Sequence, residues 1–212
     1  GKIDDDGEHA AAVVPYGATP ARGDEYYTPT GSKARILDLR VVLDAAMEDD
    51  DCAALAREGK NVSWMAQNAR ELDIMVRQVE DEISVICMTI GAAHAGCRSM
   101  CATSGGGFAL MTEAIGEAGM MEVPVVVVDV QRAGPSTGVP TKTEQGDLWQ
   151  ALGASQGDFP KLILAPSSPL DGFQTIPEVF NLTDKYQLPA IILSDLLISD
   201  ETSTIDPKLL DM

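Results

Sequence analysis

The sequence predicts an α/β fold, a parallel sheet flanked by helices, over residues 74–200. Three observations carry that expectation. From Ile74 onward, short apolar segments alternate with segments whose apolar residues recur at helical spacing. Pro124 opens VVVVDV, a run too apolar for a half-exposed strand and suited to a buried parallel one. A glycine triplet, Gly105–Gly107, joins one apolar segment to the next, as a strand-to-helix turn does.

Each element follows in order. Before residue 74 the pattern is irregular, and residues 1–73 read as a separate N-terminal segment with helices. AAAVV (Ala10–Val14) could be a strand leading into turn-like PYGATPARGDEYYTPTGS, and Ala34–Gly59 reads as one or two amphipathic helices. IMVRQ (Ile74–Gln78) is a strand, and Asp81–Gly96 a helix whose leading acids suit the helix dipole. RSMCATS (Arg98–Ser104) is a strand, Phe108–Met120 a helix, and the valine run another strand. KLILAP (Lys161–Pro166) is a further strand. Ser167 or Ser168 could cap the helix Pro169–Tyr186, in which Pro177 should break or bend the backbone. LPAIILSD (Leu188–Asp195) closes the series, and residues 201–212 read as a tail. Alternation of this kind implies parallel strands joined by right-handed crossovers.

Composition excludes several classes. The 212 residues carry 33 acids against 15 bases, a net charge of −18, which repels nucleic acid and anionic membranes. No apolar run is long enough to span a bilayer, and GKIDDDGEHAAAVV has no basic region that would mark a secretory signal. Cys52, Cys87, Cys97 and Cys101 form no CxxC pair, so no zinc site, cluster or disulfide framework is expected, and no metal ligands are assigned. The expected setting is a reduced, cytoplasmic one.

In parallel sheets, ligands bind beyond the carboxyl ends of the strands. Four candidate strands open there: Val14 into PYGATPA, Gln78 into VEDE, Ser104 into the glycines, and Val130 into QRAGPSTG. Glu80 is either a half-desolvated carboxyl able to share a proton with a ring nitrogen or an ordinary first-turn acid beside Asp81 and Glu82. TSGGG (Thr103–Gly107) is either a ligand cradle or a plain turn; it lacks the GxGxxG and P-loop spacings. Arg132 ends an apolar strand, where a guanidinium can clamp a carboxylate bidentately or face solvent. Lys142 and Glu144 in PTKTEQ are ligands or surface charge. His9 and His94 have no partner at suggestive spacing.

Taken in order, the QVEDE strand end, the TSG turn, DVQRAGPSTG and PTKTEQGDL resemble the alpha subunit of 2-oxoacid:ferredoxin oxidoreductases, over roughly Ile74 to Asp200. PTKTEQ followed by Asp147 and Leu148 is most similar to the 2-oxoglutarate branch. The resemblance implies a thiamine-diphosphate enzyme in which this chain supplies the pyrimidine-binding domain. It implies Glu80 as the catalytic carboxyl at the N1′ atom of the aminopyrimidine, with Thr103, Ser104 and Gly105 also at the cofactor. It places Arg132, Gly134, Ser136, Thr137 and Lys142 around the 2-oxoacid, with coenzyme A taking the acyl group and ferredoxin the electrons. Thr19, in YGATPA, is the counterpart of a substrate-facing threonine, although its separation from Glu80 is longer than the family pattern.

No diphosphate–magnesium motif (GDG followed by Asn) and no cluster-ligating cysteine spacing occur in this chain. The resemblance therefore implies a hetero-oligomer whose beta subunit holds Mg²⁺, the diphosphate and a [4Fe-4S] cluster. Two other functions stay open: a non-catalytic domain that only binds a partner subunit, and the pyrimidine domain of a non-redox thiamine-diphosphate enzyme.

Overall fold

The computed structural model describes residues 25–27, 33–35, 40–44, 69–70, 74–200, 204–206 and 209. Six strands form one parallel sheet in the order β4-β3-β5-β6-β8-β7, where β3 is Arg40–Asp44, β4 Ile74–Gln78, β5 Arg98–Thr103, β6 Val126–Gln131, β7 Leu162–Leu164 and β8 Ala190–Asp195. A separate antiparallel pair joins β1 (Glu25–Tyr27) to β2 (Lys33–Arg35). The helices are α1 (Glu82–His94), α2 (Gly105–Met120), α3 (Leu148–Gly153), α4 (Pro169–Tyr186) and α5 (Leu196–Asp200).

The α/β alternation expected from Ile74 onward is present, with two additions and two corrections. α3 and α5 are short helices that the sequence pattern does not announce. β3 corrects the helical reading of Ala34–Gly59: Arg40–Asp44 is a strand inserted between β4 and β5. Val41, Val42 and Leu43 form a short β-favouring run, and two waiting neighbours decide in favour of strand. The sheet thus recruits a strand from the segment set apart as residues 1–73. Residues 36–39 and 45–59 lie outside the described residues, as do the Ala10–Val14 strand and the Thr19 turn.

The second correction concerns Pro177, which lies inside a continuous α4 and does not break it. Proline removes one helical hydrogen bond. Val179, Phe180 and Thr183 lie just beyond it and are buried, so tertiary packing holds the helix through the defect. Ser168 rather than Ser167 caps α4, its hydroxyl accepting from the Asp171 amide at 3.2 Å.

Two apolar clusters cover the two faces of the sheet. One gathers Val85, Ile86 and Ile90 of α1 with Phe108, Met111 and Ile115 of α2 over Cys101, Val125, Val127 and Leu193. The other packs Val179 and Phe180 of α4 on Val126, Ala190 and Ile192. The alternation along β6, Val125 and Val127 to one side and Val126 to the other, explains why the run is apolar throughout: both faces are dry. Each fully buried Phe, Met or Ile contributes about 1.5–3 kcal/mol. Arg98 ties the start of β5 to α4, pairing with Asp184 at 2.8 Å and donating to Asn181 Oδ1.

Candidate functional site

All six strands run the same way, so their carboxyl ends share one edge. Register places Gln78 and Ala102 opposite Asp44, Thr103 opposite Asp129, and Gln131 opposite Asp195. The loops after β4, β5, β6 and β8 therefore open along one edge.

After β4 come three acids with three different fates. Glu80 is exposed, adopts a left-handed φ of 61°, and makes no hydrogen bond or ion pair among the described residues. Asp81 is the N-cap of α1, its carboxylate accepting from the Ser84 amide at 2.7 Å, and hydrogen bonds from the Ser84 side chain first and its amide second hold the Asp81 pKa below the ordinary value. Glu82 turns inward. A Cβ placed on Gly107 would stand 2.8 Å from Glu82 Cγ and Oε1 and would collide with Thr103 Oγ1. The carboxyl that reaches the glycine turn is thus Glu82, two residues beyond the Glu80 expected from the sequence.

The β5–α2 turn is buried where it meets these groups. Thr103, Ser104, Gly105 and Gly107 are all buried, and Gly106 is exposed. Ser104 is the N-cap of α2 but makes no side-chain cap bond. A carboxylate from elsewhere lies beside it. A Cβ on Gly105 would overlap Asp147 Oδ2 and stand 2.8 Å from Asp147 Cγ, so the Asp147 side chain lies directly on the helix N-terminus, where the dipole favours negative charge. The glycines expected as a cradle are required there, because side chains from two other elements fill the space a Cβ would need.

The loop after β6 returns to the same turn. Ala133 N donates to Lys142 O, and Val139 N to Ala133 O, both at 3.0 Å, closing a compact bend in which Gly138 has φ 58°. A Cβ at Gly138 would overlap the Ala133 carbonyl oxygen, so the bend needs glycine there. The Ser136 carbonyl oxygen lies 3.6 Å from a Cβ position on Gly106, which brings the loop against the turn. Gly134, Ser136, Thr137 and Lys142 are exposed along the bend. Arg132 is half-buried, with Nε and Nη1 shielded from solvent, so it is not a freely solvated surface cation. Thr19 lies outside the described residues.

Sequence reasoning missed the buried polar layer beneath the loop. Gln131 is buried, donates from Nε2 to Ser194 O at 3.1 Å, and accepts at Oε1 from the Asp147 amide at 3.1 Å. Gln145 Nε2 donates to Asp195 Oδ2 at 2.6 Å. Asp129 is fully buried, and neither of its oxygens has a hydrogen-bond partner. Burial first, and the Asp147 charge second, push its pKa up to about 8. Asp147 is raised as well, by burial and then by Glu144, and its Oδ2 is also without a partner. The available signal was one acid inside an otherwise apolar run.

The chain matches the family model described as pyruvate flavodoxin/ferredoxin oxidoreductase, thiamine diP-bdg, over residues 59–211. It belongs to that family. It is 47% identical over 131 residues to 2-oxoglutarate oxidoreductase subunit KorA of Mycobacterium tuberculosis, covering 62% of this chain and 20% of the relative. It is 38% identical over 208 residues to subunit alpha of 2-oxoacid:ferredoxin oxidoreductase 1 of Sulfurisphaera tokodaii, covering 98% of this chain and 31% of that protein. With 2-oxoglutarate synthase subunit KorA of Archaeoglobus fulgidus the identity is 48% over 121 residues, 57% of this chain and 35% of the other. The chain thus spans about a third or less of these relatives. Among solved structures, a 2-oxoglutarate:ferredoxin oxidoreductase from Magnetococcus marinus, with 2-oxoglutarate, coenzyme A and succinyl-CoA bound, superimposes with a TM-score of 0.68. It is 36% identical, over 81% of this chain and 29% of that one. The parallel sheet flanked by helices is the fold of this thiamine-diphosphate-binding family.

Proposed function

We propose that this chain supplies the pyrimidine-binding part of an alpha subunit of a 2-oxoglutarate:ferredoxin oxidoreductase, which oxidatively decarboxylates 2-oxoglutarate to succinyl-CoA and passes electrons to ferredoxin. The observation that carries this reading is the meeting of Glu82 with the Thr103–Gly107 turn, at the sheet edge where half-buried Arg132 also stands. The family match and the KorA relatives support the substrate class.

The residues suit an aminopyrimidine. Gly107 leaves the Glu82 carboxylate lying against the turn, and a half-buried carboxylate beside a ring nitrogen can hold and move one proton there. Thiamine diphosphate, when bound, supplies the electron sink for decarboxylation. Of the two glutamates, the geometry supports Glu82 rather than Glu80 in that role. Thr103, Ser104 and Gly105 form the wall beside it. Arg132 offers a planar fork for the 2-oxoacid carboxylate, and the bend carrying Gly134, Ser136, Thr137 and Lys142 encloses the substrate and excludes water.

Mg²⁺, the cofactor diphosphate and a [4Fe-4S] cluster belong, on this reading, to a beta subunit, in a hetero-oligomer working in a reduced, cytoplasmic setting. Among the described residues no group of three or more His, Cys, Asp or Glu could hold a metal, and no helix is long and apolar enough to cross a membrane.

The test pairs Glu82→Gln with Glu80→Gln in the full-length chain assembled with its beta subunit, measuring 2-oxoglutarate-dependent viologen reduction with coenzyme A. Glu82→Gln should lose activity while still assembling, and Glu80→Gln should keep it. Full activity in both variants would remove the mechanism. A wild-type complex that assembles without turnover would favour a binding role, and turnover in an iron-free complex would favour a non-redox thiamine enzyme.

A further inference from the structure

The buried carboxyl of Asp129 has no part in the chemistry above. It sits on β6 on the same face as Val125 and Val127, fully shielded, both oxygens without a partner. Such a group is expensive to bury as an anion unless something neutralises it. Its neighbours can be named from every side. Thr103 of β5 is its neutral register partner, and Leu193 stands opposite on β8. Asp195, two positions further along β8, is already committed to the Ile198 amide and Gln145. The α2 turn presents uncharged glycines, with Glu82 of α1 beyond Gly107. The loop contributes Arg132, Lys142, Glu144 and Asp147.

Of these, Asp147 is the group whose charge Asp129 feels, and its buried Oδ2 is equally without a partner. Asp147 is also the far end of the loop that starts at Arg132. Its amide is pinned by Gln131, two residues along β6 from Asp129, and its carboxyl rests on Gly105, two residues beyond the register partner of Asp129. The three orphaned oxygens therefore belong to two carboxyls set on the elements that meet where the loop rejoins the sheet edge. One proton shared between the two carboxyls converts them from repelling anions into a donor and an acceptor.

We propose that Asp129 is a positioning residue: it keeps a proton and donates it to the Asp147 carboxylate, and this acid–carboxylate bond latches the Arg132–Asp147 loop onto β6 and the α2 N-terminus. The proton moves between two carboxyl oxygens, and no other reactant is involved. What the latched loop does for a substrate rests on the proposed function, but the latch itself is read without turnover.

The pH response has a definite sign. The carboxyl of Asp129 is raised from 3.8 to about 8. Between these values the folded chain holds a proton that the unfolded chain releases, so stability falls as pH rises through that window and is level above it. The latch opens as pH passes the upper value.

The test uses the full-length chain in its assembled enzyme, at about pH 6.5 and about pH 9.5, on either side of that value. Hydrogen exchange of the 132–147 peptide, corrected for intrinsic rates, should accelerate by roughly tenfold or more at the higher pH in wild type. Asp129→Asn, a neutral donor at any pH, should exchange alike at both. Asp147→Asn should move the wild-type midpoint downward, because the repelling charge is gone. An infrared band of a neutral carboxylic acid should vanish across the same range in wild type and be missing from Asp129→Asn. An identical pH response in wild type and Asp129→Asn overturns the latch. If that variant does not assemble, a wild-type acid band that fails to titrate near the upper value overturns it equally. A wild-type complex whose latch titrates as expected but which shows no 2-oxoglutarate-dependent turnover would instead count against the proposed function.

Discussion

Two strand-to-helix junctions stand on the same sheet edge, on either side of β3, and are built from opposite materials. After β4 the chain places Glu80, Asp81 and Glu82, and the first two are exposed. After β5 it places Thr103, Ser104 and three glycines, nearly all buried. α1 carries its own cap in Asp81, whereas α2 has no side-chain cap bond and instead leaves room at Gly105 for the Asp147 carboxylate, more than forty residues further along the chain. The difference teaches what each junction is for. A self-capped, charged junction holds a helix in water. A bare glycine junction leaves its wall to be completed by side chains from other elements, here Glu82 and Asp147, and that is how a shared site is assembled.

The comparison can be broken or sharpened by substitution. The largest effect is expected at the one residue of the charged junction that crosses to the other. Glu82→Gln should lower kcat by about 10²–10⁴-fold, the usual range for loss of a positioned proton-transfer group, and Glu80→Gln by less than about threefold. Equal losses in steady-state assays would show that the two glutamates are not distinguished by burial. Next comes the glycine turn. Gly107→Ala forces a Cβ onto Thr103 Oγ1 and Glu82, and should cost about 1–3 kcal/mol in thermal or denaturant unfolding along with most activity. Gly106→Ala meets only the Ser136 carbonyl at 3.6 Å and should be tolerated, so a matching loss there would refute the close-packed turn.

A smaller effect belongs to the loop that leans on both. Arg132→Lys keeps the charge but loses the planar fork, and should raise KM for the 2-oxoacid by roughly an order of magnitude with less change in kcat. An unchanged KM would detach Arg132 from the substrate. The smallest effect lies in the self-capped junction. Asp81→Ala should lower the melting temperature modestly and leave KM alone. The Ser84 bonds hold the Asp81 pKa below its ordinary value of 3.8, so the contribution is complete above that value and disappears as pH falls through the lowered one. A stability difference that persists in strong acid would show that the cap is not the cause.

Legibility from the sequence varied with the range of the interaction. β6 was plain because residues on both its faces are packed into apolar clusters, and the alternating elements after Ile74 were plain because their periods are local. β3 was hidden, since five residues inside an acidic, helix-like stretch become a strand only when β4 and β5 stand on both sides. Pro177 was overrated as a breaker because its local penalty is visible in the sequence and the burial of Val179 and Phe180 is not. The choice between Glu80 and Glu82 was equally hidden. Both sit beside Asp81, and only the left-handed backbone at Glu80 and the helical start at Glu82 send one out and the other in.

By itself the chain dictated its alternating elements, its glycine turn, and the neighbourhood in which charged residues follow strands, because hydrophobic period and turn chemistry act over a few residues. Tertiary structure alone decided which glutamate meets the turn, which strand enters the sheet, and that the Asp129 carboxyl is fully buried. Those outcomes depend on burial, and burial is set by neighbours far away in sequence, where no local pattern can record them.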